Sequence, residues 1–300
     1  MKNYLIVLSL MCGGFSVTTQ AALNVLACEP EWGALIQELA GEHANLYIAT
    51  TAQQDPHQIH AKPSLIARAR AADLLVCTGA DLEIGWLPVL LRQTGNARIQ
   101  AGQPGNFAAA DVVQKLDIPA VLDRAHGDVH PGGNPHIQTD PHNIAAVAIA
   151  LAARLAQIDP EHVAFYGVRQ AAFSSRWQAA IQRWEQAAAP LRGVAIVVQH
   201  QGFPYLNHWL GLREVATLEP KPGVEPSAAY LGEVLARLRG EPVKLILRAA
   251  YNDGRPAAWL AERTHLPVVI APFTVGGDAQ AQDLFSLFDD TIARLLQALR

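Results

Sequence analysis

The segment from Pro160 to Ala189 constrains this chain most. It carries almost no helix breaker apart from Gly167, and its Ala, Gln, Arg and Glu residues are interleaved with Phe165, Phe173, Trp177, Ile181 and Trp184. That pattern predicts one long amphipathic helix ending before Pro190. At 1.5 Å per residue, roughly 30 residues span about 45 Å, enough to run the length of a two-lobed molecule and join its lobes stiffly. On either side, strand and helix patterns alternate. Before it come apolar strands at Asn24–Cys28, Ala44–Thr50 and Asp73–Thr78, with helical spacing at Glu31–Gly41, Ser64–Ala72 and Gly79–Leu91, then a helix from Pro141 to Gln157. After it come strands at Val194–Val198, Glu214–Leu218, Val243–Leu247 and Pro267–Ile270, with helices at Phe203–Leu210, Ser227–Arg239, Ala257–Thr264 and Gln282–Leu299. Alternation of this kind predicts an α/β fold in which each lobe is a mainly parallel sheet with helices on both faces. The expected divisions are a signal peptide at 1–21, an N-terminal lobe at 22–158, the linking helix at 159–190 and a C-terminal lobe at 191–300.

The signal-peptide expectation rests on Lys2, the mainly apolar run from Leu5 to Val17 and the small-x-small site Thr19-Gln20-Ala21. Cys12 raises lipidation as an alternative, which the preceding Met11 and the following Gly13-Gly14 count against. A net charge of −4, or −5 once Lys2 is removed, leaves no basic footprint for nucleic acid. Cys28 and Cys77 both end apolar runs. In an exported chain they are expected to form a disulfide if their strands are neighbours, the alternative being two buried thiols.

Three histidines stand at chain positions suited to a shared ligand. His57 follows a strand and the turn Gln53-Gln54-Asp55-Pro56, His136 follows Gly132-Gly133 in Asn134-Pro135-His136, and His200 ends the run Val194–Val198. Ligands of α/β sheets bind at the C-terminal ends of strands, and imidazole is the commonest protein ligand of borderline divalent metals. The three are therefore expected to hold one metal ion. His60, three residues after His57, is the competing ligand there.

Several motifs give this chain a family resemblance. They are Asp55-Pro56-His57 with Lys62-Pro63-Ser64, Ala72–Val76 with Gly79 and Leu82-Glu83, Asn134–Ile137 with Asp140-Pro141, Ile158-Asp159-Pro160, His200 with Phe203 and Tyr205, and Pro222–Ser227. Together they resemble the periplasmic metal-binding proteins of zinc and manganese ABC importers, the cluster A-I solute-binding family, over nearly the whole mature chain. The resemblance implies a carrier rather than an enzyme, a monomer that delivers zinc to an ABC-type permease, with a periplasmic zinc chaperone as a further candidate partner. It also implies a fourth ligand, often an aspartate in an Asp-Pro pair after the last strand. Here that pair reads Ala271-Pro272. Asp278, after Gly276-Gly277, is the expected substitute, and Asp253 the competitor. His126 and His130 occupy the place of the family's metal-gathering loop, a solvated loop being the plain alternative. Three imidazoles and a carboxylate suit zinc; manganese prefers more oxygen. A zinc hydrolase would need an open coordination position and a nearby base, and the chain has no His-Glu-x-x-His motif. An adhesin role, assigned to some relatives, is the third alternative.

Overall fold

The structure is a computed structural model that describes residues 21–119 and 130–300. The expected signal segment and His126 lie outside these residues, apart from Ala21. Two four-stranded parallel sheets make up the molecule. The first contains β1 (Leu23–Ala27), β2 (Ala44–Ile48), β3 (Leu74–Cys77) and β4 (Asn106–Ala108), in the order β2-β1-β3-β4. The second contains β5 (Ala195–Val198), β6 (Arg213–Thr217), β7 (Val243–Ala249) and β8 (Val268–Ala271), in the order β6-β5-β7-β8. Each lobe thus places its first strand second and reverses direction of winding there, the arrangement that opens a crevice at the strand C-termini.

Side-chain alternation along the strands sorts the core into three. Val25 and Ala27 of β1, Val76 of β3, Ile196 and Val198 of β5, and Leu245 and Leu247 of β7 all point into one continuous core. Their neighbours point the opposite way, as the period of two requires. Leu26, Leu75 and Cys77 enter a separate cluster with helices α2 (Pro63–Ala71) and α3 (Leu87–Thr94), while Val197 and Ile246 enter another with α7 (Ala228–Arg237) and α8 (Arg255–Thr264).

The central core is built on α1 (Pro30–Ala40), α4 (Pro141–Ile158), α5 (Val163–Ala187), α6 (Pro204–Leu210) and α9 (Leu284–Gln297). The long helix is α5, with a separate 3-10 turn at Pro160–His162 in front of it. Its Phe173, Trp177, Ile181 and Trp184 are almost fully buried. Phe173 stacks on Trp177 at 5.2 Å between ring centres, and Phe285 and Phe288 of α9 meet Trp177 edge-on. One apolar core therefore runs through both lobes, and the buried stripe of α5 forms part of it.

Strand adjacency bears out the cysteine expectation. β1 and β3 pair in parallel, the Cys28 amide donates to the Val76 carbonyl, and Cys28 and Cys77 form a disulfide with Cα atoms 4.8 Å apart. The helix expected from Gly79 starts later, at Leu87. Gly79, Ala80 and Asp81 take positive φ values of 77°, 49° and 63°, which a right-handed helix cannot contain.

Candidate metal centre

His57 is delivered by the loop after β2. That loop is held from behind by the segment entering α3: Trp86 donates its indole N–H to the Pro56 carbonyl at 2.9 Å. A side chain at Gly85 would lie 2.7 Å from the His57 carbonyl oxygen, so only glycine permits this approach. His200 follows β5 directly. His136 precedes α4 and is fixed through Asn134, whose side chain accepts from the His136 amide at 3.0 Å and donates to the Gln201 carbonyl at 2.8 Å. Tyr205 of α6 donates to the Asn134 carbonyl, so the second lobe positions a ligand of the first.

The three histidines converge. One nitrogen from each lies within 4.8 Å of the others. Ring centres are 5.4 Å apart for His57 and His136, 5.9 Å for His57 and His200, and 5.4 Å for His136 and His200. The Nε2 atoms of His136 and His200 are 3.3 Å apart. Two nitrogens bound tetrahedrally to zinc at ~2.05 Å are separated by roughly 3.3 Å, so this pair already has the spacing of co-ligands.

Outer carboxylates set two of the tautomers. Asp55 Oδ1 accepts from His57 Nδ1 at 2.7 Å, and Glu219 Oε2 accepts from His200 Nδ1 at 2.8 Å. A carboxylate accepts only, so each Nδ1 carries the hydrogen and each Nε2 offers its lone pair, the usual arrangement behind a metal-binding histidine. Glu219 is itself placed by the Gly223 amide. Burial pushes the Asp55 carboxyl up, but hydrogen bonds from His57 and the positive potential of His57 and His200 outweigh it and hold Asp55 below its ordinary value. His136 is 1% exposed and its Nδ1 has no hydrogen-bond partner among the described residues. Burial, then the neighbouring His57, His200 and His130, keep its pKa well below normal. His136 is therefore neutral and ligand-ready at neutral pH.

The expected fourth ligand is not brought to the histidines. Asp278 gives Oδ2 to Arg294 of α9 at 2.5 Å and Oδ1 to the Gln280 amide at 2.9 Å. Asp253 is likewise engaged, by Arg255. β8 ends at Ala271 and is followed by Pro272 and Phe273, whose ring packs 5.3 Å from that of His136. An aromatic wall stands near the expected carboxylate position. His60 is exposed and outside the group. His130 is beside it: its ring centre is 5.4 Å from that of His57, and it lines a cavity of about 70 Å³ with His136 and His200. Burial and the imidazoles of His57 and His200 lower its pKa to about 4, against hydrogen bonds to the backbone at Asp81 and Ala80.

A second cluster escaped sequence reading, because its members are far apart in the chain and acidic residues at a turn or helix start look ordinary. Glu29, Glu31 and Glu83 are all buried. Glu29 and Glu83 hydrogen-bond each other and together receive the Thr78 amide, while the Gly79 amide donates to Glu83. Glu31 crosses to the other lobe, where the Thr274 hydroxyl donates to it. Burial raises all three carboxyls, Glu31 and Glu83 to about 7.

Comparison with known proteins gives the family and the fold. A manganese ABC transporter substrate-binding lipoprotein, PsaA of Streptococcus pneumoniae, is 23% identical over 267 residues, covering 87% of this chain and 83% of its own length. The high-affinity zinc uptake system protein ZnuA of Paracoccus denitrificans is 23% identical over 270 residues, 79% of each chain. Among solved structures, a crystal structure of ZnuA superposes with a TM-score of 0.77 at 19% identity, covering 93% of this chain and all of that one. A manganese-bound periplasmic metal-binding protein from Candidatus Liberibacter asiaticus superposes with a TM-score of 0.73 at 17% identity, covering 92% of this chain and 99% of that one. The family described as zinc-uptake complex component A, periplasmic (ZnuA), matches residues 25–298, and the chain belongs to it.

Proposed function

We propose that this chain captures one zinc ion outside the cytoplasm and presents it to the permease of an ABC importer. The carrying observation is the convergence of His57, His136 and His200, two of them with Nδ1 committed to a carboxylate so that Nε2 faces the others. Capture consists of replacing the ion's water by imidazole nitrogen; Asp55 and Glu219 behind the rings balance its charge and raise the basicity of the ligands. Imidazole must be unprotonated to bind, so affinity falls on acidification and binding releases protons where a ring was charged. Zinc is favoured over manganese because nitrogen donors, not oxygen, line the centre. The division into lobes at 22–158 and 191–300 with a link at 159–190 follows the same reading, and release is a local movement of the ligand-bearing loops.

Metal analysis and chelator-competition titration of the purified protein test this. One zinc per chain is expected, with His136→Ala abolishing tight binding and manganese failing to displace zinc. Preference for manganese, or zinc binding that survives loss of His136, would refute it.

A further inference from the structure

A cleft of about 420 Å³ opens beside the histidines, large enough for a small organic molecule. Asp55 and Gln58 reach it from the first lobe, and Gln199, Glu219 and Tyr251 from the second. Asp55 and Glu219 are the carboxylates behind His57 and His200. They give Oδ1 and Oε2 to those rings and keep Asp55 Oδ2 and Glu219 Oε1 outside these bonds. Their side chains are 45% and 16% exposed, so solvent in the cleft meets both.

The lining is rich in acceptors. Gln199 is 4% exposed; its amide N–H donates to the Asp253 carbonyl, and its Oε1 has no hydrogen-bond partner among the described residues. A buried acceptor left unpaired is costly until a donor arrives. Glu225 adds an exposed carboxylate. Arg255 is the one cation among the described lining residues, and Asp253 holds it. Burial, then the negative potentials of Asp55 and Glu219, push the Tyr251 hydroxyl well above its ordinary pKa, so both carboxylates act on one spot in the cleft. Leu231 and Trp259 supply apolar surface. Such a lining calls for a ligand with positive charge, several N–H donors and an apolar stem. A guanidinium carries its donors in a planar fork and meets carboxylates with paired bonds. A bare metal ion would leave the apolar surface and most of the volume unused.

Resting on the zinc-capture reading, we propose that this cleft binds an organic cation, a guanidinium or alkylammonium group, and that the cation and zinc oppose each other's binding. A cation paired with Asp55 and Glu219 claims the negative charge that otherwise balances the metal through His57 and His200. Two positive centres then share the same pair of carboxylates. By linkage, the factor by which the cation weakens zinc binding is the factor by which zinc weakens binding of the cation. The cleft is thus an effector site that favours release of the metal.

Propylguanidinium is the probe, titrated calorimetrically into the metal-free full chain at low salt. Saturable binding is expected, and tetramethylammonium, with the same charge and no N–H, should not reproduce it. Saturating propylguanidinium should weaken zinc binding in chelator competition by about 5-fold or more, and zinc-loaded protein should bind the probe more weakly by the same factor. Glu225→Lys, at an exposed position, should lower affinity for the probe by about 10-fold at low salt. Trp259→Ala should lower it too, leaving zinc affinity without the probe unchanged. A blocked glycyl-arginyl-glycine peptide separates the sources of such a group. Binding of propylguanidinium alone marks a free small cation as the occupant, and binding of the peptide marks a partner's arginine side chain. No saturable binding of either probe, affinity indifferent to Glu225→Lys, or zinc binding indifferent to the probe overturns the inference. Wild type that binds the probe but no zinc would instead overturn the capture reading.

Discussion

Glu31→Gln should make the metal-free protein more stable at alkaline pH, although it removes a charged group from the contact between the lobes. The Glu31 carboxyl is 2% exposed and receives the Thr274 hydroxyl. Burial lifts its pKa from 4.5 to about 7; hydrogen bonds from Thr274 and its own backbone oppose the rise, and the potential of Glu83 adds to it. The unfolded chain titrates near 4.5, so between about pH 4.5 and 7 the folded protein holds a proton that the unfolded one has lost. The resulting stability is complete below pH 4.5 and disappears as pH rises through 7. The shift from 4.5 to about 7, at 1.36 kcal/mol per unit, sets a ceiling of ~3 kcal/mol. Glu29 and Glu83 relax with it, so ~2 kcal/mol is the working figure. Glutamine keeps an oxygen for Thr274 and cannot ionise. Urea unfolding with chelator present, at pH 5 and pH 8, provides the measurement. The two proteins should agree at pH 5, and the variant should be ahead by ~2 kcal/mol at pH 8. Parallel stability profiles, or a variant weaker than wild type at pH 8, would show that Glu31 is not a strained acid.

Two further outcomes concern Glu219 and the disulfide. Glu219→Gln keeps an acceptor for His200 Nδ1 but removes the charge behind it, so zinc affinity should fall by roughly 10- to 100-fold; chelator competition showing no loss would deny Glu219 its part in balancing the ion. Reducing the Cys28–Cys77 disulfide frees a loop with a sequence separation of 49. Chain-entropy reasoning puts the loss at ~4 kcal/mol, and a denaturant midpoint that ignores reductant would contradict it.

Regular elements were legible from the sequence because periodicity there serves burial. Phe173, Trp177, Ile181 and Trp184 marked α5 to within a few residues, and the apolar runs of β1, β3, β5 and β7 fell where the strands lie. Legibility failed where conformation depends on contacts distant in sequence. β4, only Asn106–Ala108, is a strand because β3 is there to pair with it. The helix expected over Ser64–Ala72 starts one residue earlier, with Pro63 in its first turn and Lys62 at the cap. In the metal centre His57 and His200 were marked by positions after strands, and His136 by the Asn134-Pro135-His136 turn after two glycines. Asp55 and Glu219 were not, because a carboxylate in a turn gives no sign of which ring it will meet. Asp278 was chosen for its place on the loop after β8; its pairing with Arg294, sixteen residues on, is a contact that no sequence pattern announced.

The single core has a consequence for how the chain reaches its native state. Helix α9 packs against α1, the first helix among the described residues, and against α5. Its Phe288 covers Trp184, and Leu284, Ile292 and Leu295 complete the buried surface that the β1 and β3 side chains share. A nascent chain that does not yet include α9 has nothing to place over that surface. Such contacts between chain ends are slow to form and leave partly made chains aggregation-prone. Commitment to the folded state is thus deferred until α9 has been made, leaving an interval in which the polypeptide can still be threaded, bound by a chaperone or cleaved.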